Sequence, residues 1–166
     1  VPVDTVGLQM HINIEYPPVE QIKETIEMYG QLGLNVIVTE MEVSIYKDDK
    51  ETQKTVTEEI QEKLAQRYKE LFECFKMEAQ KGILKDVVLW GVTDKFTWKN
   101  YFPVPNRKDA PLLFDDEGKE KGCQSSLLNN ITTDQRYSTL FTTRMNNVVP
   151  KGTTEKIKAL PLFAYN

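Results

Sequence analysis

Leu34-Asn35-Val36-Ile37-Val38-Thr39-Glu40-Met41-Glu42-Val43 begins as a β-branched apolar run and ends around two carboxylates. Unbroken apolarity, rather than alternation, predicts a strand covered on both faces, as in a parallel sheet flanked by helices. Charges placed directly after such a run sit at the rim of the sheet. Glu40 and Glu42 are two residues apart, so their side chains share one face, roughly 7 Å apart along it. An isolated Glu-x-Glu is more commonly a pair of solvated carboxylates; the apolarity of the strand that delivers this one favours a site.

On either side the chain repeats a strand and helix rhythm. Val6 to His11 predicts a short buried strand, and Pro17-Pro18 breaks it. Val19, Ile22, Ile26 and Tyr29 then fall on one helical stripe that closes near Gly30 and Gly33. After the quoted stretch, Ile60, Leu64, Tyr68, Leu71, Phe72 and Phe75 mark a long amphipathic helix from about Thr55 to Lys81, with Gly82 as its stop. Val87 to Gly91 predicts a third strand. This alternation builds parallel sheets, because parallel neighbours need crossover connections. A doubly wound sheet and a barrel both satisfy it, and both place chemistry at the C-terminal strand ends. Those ends carry Gln9 and His11, Glu40 and Glu42, and Trp90 and Asp94.

His11 is the single histidine, and it closes its strand at the position equivalent to the two glutamates. A lone histidine is usually structural. Between two carboxylates, however, it holds one of them ionised while the other orients the ring, and a charged, aimed carboxylate is what a covalent nucleophile requires. Trp90 and Trp98 follow the third strand; two indoles beside a glycine are hard to bury together, and their flat apolar faces with a donor N–H suit sugar rings. A facial-triad metal site is the competing reading, but it ordinarily needs two histidines.

The 166 residues suffice for one core, and an apolar fraction of 40% with 28% charged residues is ordinary for a globular domain. A net charge of −4 argues against nucleic-acid partners. No apolar run reaches the roughly 20 residues of a membrane span. Cys74 and Cys123 lack CxxC partners and are expected as free thiols, and no zinc site or cofactor is expected. The first residues lack secretory-signal features, and the absence of an initiating Met is expected of a piece of something longer. After about Lys121 the rhythm disappears into Ser, Thr and Asn, leaving 122–166 unassigned apart from a short helix around Ser125 to Leu128 and a glycosylation triplet at Asn130-Ile131-Thr132.

Four motifs carry a resemblance: Asp4-Thr5-Val6-Gly7-Leu8-Gln9-Met10-His11, Val38-Thr39-Glu40-Met41-Glu42-Val43, Leu89-Trp90-Gly91-Val92-Thr93-Asp94, and Asp109-Ala110-Pro111-Leu112-Leu113-Phe114-Asp115. In order and spacing they resemble the last strand-end motifs of family 10 endo-1,4-β-xylanases over about residues 1–121. The resemblance implies an α/β fold, part of a (β/α)₈ TIM barrel comprising strands six to eight with their helices, and a non-matching tail. It implies Glu40 as nucleophile, His11 hydrogen-bonded to it, and Glu42 in the place of a family aspartate that holds the histidine. Gln9, Trp90 and Trp98 would line the subsite of the sugar under attack, with Met10 where a small residue is usual. Substrates would be xylan or xylo-oligosaccharides, and the parent protein would be secreted.

Family members cleave with retention, between carboxyl groups about 5–5.5 Å apart. The family's acid/base glutamate follows an Asn, and this sequence contains no Asn-Glu pair. It is therefore expected to carry the nucleophile half only, with strands one to five supplied by a missing N-terminal barrel half. A three-strand slab would expose two edges and invite self-association. A non-catalytic xylan-binding or assembly fragment is the alternative function.

Overall fold

The structure, a computed structural model, describes residues 2–121 together with the backbone of 141–143. The expected short helix at Ser125, the glycosylation triplet and Cys123 lie outside the described residues. The elements run β1 (Thr5–Leu8), β2 (His11–Asn13), α1 (Val19–Gln31), β3 (Asn35–Ser44), α2 (Glu58–Gln80), β4 (Leu84–Leu89), two 3₁₀ turns (Asp94–Phe96 and Trp98–Asn100) and β5 (Phe141–Thr143). Among the described residues all the strand pairings are parallel, in the order β1-β3-β4-β5, with β2 on β3 beyond β1.

The two helices arise where the apolar stripes predict them. Thr57 caps α2 by accepting from the Ile60 N–H, and Glu58 and Glu59 in the first turn favour the positive end of the helix dipole. Gly82, at φ 78°, ends the same helix in the left-handed conformation that side chains resist. Ile22 and Ile26 of α1 and Leu64, Tyr68, Leu71, Phe72 and Phe75 of α2 form one core with Val36, Val38, Met41, Val43, Leu84 and Val87 of the sheet.

Four expectations are corrected. The first predicted strand is two, separated at Gln9 and Met10, because Met10 sits at φ 66° and bends the chain out of the pleat. β4 begins at Leu84 and ends at Leu89, where Gly91 at φ 150° turns the chain. β3 is not covered on both faces along its first half: Val36 and Val38 are buried against the helices, whereas Asn35, Ile37 and Thr39 are only half-buried on the opposite face. The sheet is also wider than three strands, since β5, from beyond Lys121, pairs with β4 through Val87↔Phe141 to Leu89↔Thr143. One of the two edges expected to be open is thereby lined by backbone from the tail.

The feature that positions the site is a change of phase within β3. From Leu8 to His11 the neighbouring strand advances three residues while β3 advances four, from Val38 to Glu42. On the other side, β4 advances two residues from Val87 to Leu89 while β3 advances three, from Val38 to Met41. Both neighbours therefore register one extra residue in β3 after Val38 and before Glu42, the signature of a bulge. The buried set moves from Val36 and Val38 to Met41 and Val43, and Glu40 and Glu42 are rotated out of the hydrocarbon layer.

Candidate active site

The site is assembled from the start of β2, the C-terminal half of β3 and the turns that follow β4, so His11 opens its strand rather than closing it as expected. His11, the first residue of β2, stands in register with Glu42. Its Nδ1 lies 2.9 Å from Glu42 Oε1 and its Nε2 3.1 Å from Glu40 Oε2. One imidazole thus bridges the two glutamates, as the sequence reading placed it. The carboxylates differ sharply in surroundings: the Glu40 side chain is 25% exposed and Glu42 has no exposure. Glu40 is therefore within reach of solvent, whereas Glu42 is enclosed.

Trp98, in the second 3₁₀ turn, donates its indole N–H to Glu42 Oε1 at 2.7 Å, so the oxygen that meets His11 also serves Trp98. The other oxygen, Oε2, is buried without a hydrogen-bond partner. Burial pushes the Glu42 carboxyl above the usual range, opposed by Lys99, then by the hydrogen bonds from His11 and Trp98. Trp90 and Trp98 meet the His11 ring edge-on, with centroids 6.4 and 5.4 Å away. Phe102 stacks on Trp98 at 5.5 Å, so one indole face is already occupied. Gln9 joins the group through its backbone, its carbonyl accepting from the Glu40 N–H; the residue is exposed and lines a cavity with His11, Met10 and Gln21.

Asp94 stands apart from this group. It is buried, accepts from the Leu112 N–H, and pairs with Lys121 in a tight ion pair. Its position at a strand tip serves the loop. Asp109 holds the end of β3: its carboxylate accepts from the Ser44 hydroxyl at 2.6 Å and from the Ile45 and Ala110 N–H groups. Sequence reasoning missed Lys99, whose ammonium lies 3.8 Å from Glu42 Oε1 and 4.9 Å from the Trp98 ring centre. Its only sequence signal was adjacency to Trp98. Among the described residues no group of three His, Cys, Asp or Glu side chains is placed to hold a metal ion, and both imidazole nitrogens are already engaged by carboxylates.

Parallel strands under two helices, with two carboxylates on one imidazole at the strand ends, define a carboxylate-based site in a segment of a β/α barrel. The family model for Glycosyl hydrolase family 10 matches residues 1–130. Endo-1,4-beta-xylanase C of Paenibacillus barcinonensis is 41% identical over 131 residues, which cover 79% of this chain and 12% of that protein. A solved structure of GH10 from Paenibacillus barcinonensis superposes with a TM-score of 0.71 at 43% identity, covering 72% of this chain and 34% of the other. A mutant structure in complex with xylotriose superposes with a TM-score of 0.66 at 38% identity, covering 72% of this chain and 37% of the other. The chain belongs to glycosyl hydrolase family 10, and its sheet is part of that family's TIM barrel. It spans well under half the length of these relatives.

Proposed function

We propose that this chain carries the nucleophile half of a retaining endo-1,4-β-xylanase. The observation that supports this most directly is the bridging imidazole: both His11 nitrogens are engaged by carboxylates, and only one of the two carboxylates is open to a substrate. Glu40 is then the nucleophile, attacking the anomeric carbon while the glycosidic C–O bond breaks. His11 aims Glu40, and Glu42 holds His11. Water afterwards cleaves the glycosyl-enzyme ester, restoring the Glu40 carboxylate and releasing the sugar with net retention. Proton donation to the leaving oxygen falls to a general acid outside this chain. Gln9, whose carbonyl accepts from the Glu40 N–H, and Trp90, which meets His11 edge-on, are the groups that would bind the sugar, and the xylotriose-bound relative supports a xylo-oligosaccharide as the occupant. The parent enzyme is proposed to act outside the cell, where its polymeric substrate lies.

A 2-deoxy-2-fluoro-β-xylobioside with a dinitrophenolate leaving group tests the reading without needing that acid, since such a leaving group departs unprotonated. Mass spectrometry of the digested chain is expected to find one glycosyl adduct, on Glu40, absent from Glu40→Gln. An adduct on Glu42 or on any other carboxylate would overturn the assignment. Unassisted turnover of xylan by the chain alone would likewise refute the stated division of labour.

A further inference from the structure

Glu42 has to remain charged to grip the imidazole, yet it is placed where charge is costly. Its side chain is fully enclosed, Oε2 has no hydrogen-bond partner, and all direct compensation reaches Oε1. Three groups converge on that oxygen: the Trp98 N–H at 2.7 Å, His11 Nδ1 at 2.9 Å and Lys99 Nζ at 3.8 Å. Trp98 brings a dipole and His11 a ring nitrogen. Lys99 brings the one permanent positive charge among them. Its side chain is only 15% exposed, so solvent screens it weakly.

The charged groups that face Glu42 can be named element by element. β2 supplies His11, β3 itself supplies Glu40, the second 3₁₀ turn supplies Lys99, and α2 supplies Tyr68, around which Asp94 and Asp109 stand farther out. With the imidazole protonated, Glu40, His11, Glu42 and Lys99 alternate in sign and sum to zero. Without Lys99 the same row carries a net negative charge in a largely enclosed place, and taking up a proton relieves it. A protonated Glu42 is a poorer acceptor for the imidazole, and the ring that addresses Glu40 loses its anchor.

We propose that Lys99 is a positioning residue that fixes the protonation of the Glu42–His11 pair, holding Glu42 anionic so that His11 stays aimed at Glu40. Its catalytic meaning rests on Glu40 being the nucleophile; its effect on Glu42 does not. Lys99 acts through these two groups and touches no reacting atom.

The indole N–H of Trp98 reports on Glu42 directly, because it is donated to the titrating oxygen. The chain has two tryptophans, so its indole N–H region in ¹H–¹⁵N NMR holds two signals, and Trp98→Phe assigns them. The 166-residue chain is titrated from pH 3 to 9 as wild type, Lys99→Met and Lys99→Arg. Methionine keeps an unbranched stem against Trp98 and removes only the charge. The transition sensed by Trp98 is expected to move up by about one pH unit in Lys99→Met, a tenfold rise in proton affinity, and to return close to wild type in Lys99→Arg. A Lys99→Met transition at the wild-type pH, with the Trp90 signal undisturbed, overturns the proposal. Should Lys99→Met fail to fold, Lys99→Gln gives the same two outcomes. Adduct formation on Glu40 reads the nucleophile alone, so failure of one idea is distinguishable from failure of the other.

Discussion

Ser44 donates its hydroxyl to Asp109 Oδ2 across 2.6 Å, joining two buried side chains 65 residues apart in the chain. The other Asp109 oxygen accepts from the N–H groups of Ile45 and Ala110, so one carboxylate fastens the exit of β3 to the loop that follows the tryptophans. Glu40 and Glu42 lie on the segment this clamp holds. The two carboxylates bridged by His11 are therefore steadied by a third.

Asp109→Ala removes that clamp and leaves buried N–H donors without an acceptor. Hydrogen bonds to a charged group contribute about 1.5–3 kcal/mol each, and a loss of about 3 kcal/mol overall is expected in urea unfolding. A loss below 1 kcal/mol would show that β3 is held by its ladder alone.

Asp94 is expected to make stability fall as pH rises. Burial pushes its carboxyl up to about 7 from 3.8, against the pull of Lys121. The folded state therefore holds this proton more tightly than the unfolded chain, so the contribution is complete below about pH 4 and is lost as pH climbs through 7. Thermal unfolding between pH 4 and 8 should show a decline that Asp94→Asn flattens. An equally steep decline in the variant would place its origin elsewhere.

Trp98→Phe keeps a ring to stack on Phe102 but deletes the N–H that Glu42 receives. The expected penalty is about 1.5–3 kcal/mol well above the pH at which Glu42 titrates, and clearly less at pH 4, where its raised carboxyl is protonated. Equal penalties at both pH values would mean that packing, rather than the hydrogen bond, had been lost.

Gly82→Ala puts a side chain at φ 78° with no neighbouring atom to clash with, so only backbone strain is tested. A destabilisation of about 1 kcal/mol is expected by calorimetry, with Gly82→Asn intermediate. A neutral alanine variant would show that α2 can end in another way.

What could be read from the residues divides along physical lines. Helix stripes such as Ile60 to Phe75 announce themselves because burial there repeats over several turns, and the β-branched run of β3 does so through its length. The partnership of His11 with both glutamates was also legible, since parallel strand ends in one sheet place equivalent positions side by side. The break at Met10 was not, because a left-handed methionine has no compositional signature. Nor was Lys99, whose role depends on a turn that folds it back over Trp98, or the pairing of Phe141 to Thr143 with β4, which joins segments about 50 residues apart. Strict alternation along β3 would have carried Glu40 and Glu42 to the face of Val36 and Val38. The carboxylates escaped that fate through an extra residue that no period reveals.

That extra residue works like a half-turn coupling in a drive shaft. Below it, β3 answers only to the packing of hydrocarbon against α1 and α2; above it, the same backbone answers to the angular demands of an ionic cluster. Each section can drift in sequence without upsetting the other so long as the coupling keeps its count, and losing one residue there would swing both acids into oil while leaving every side chain's chemistry untouched.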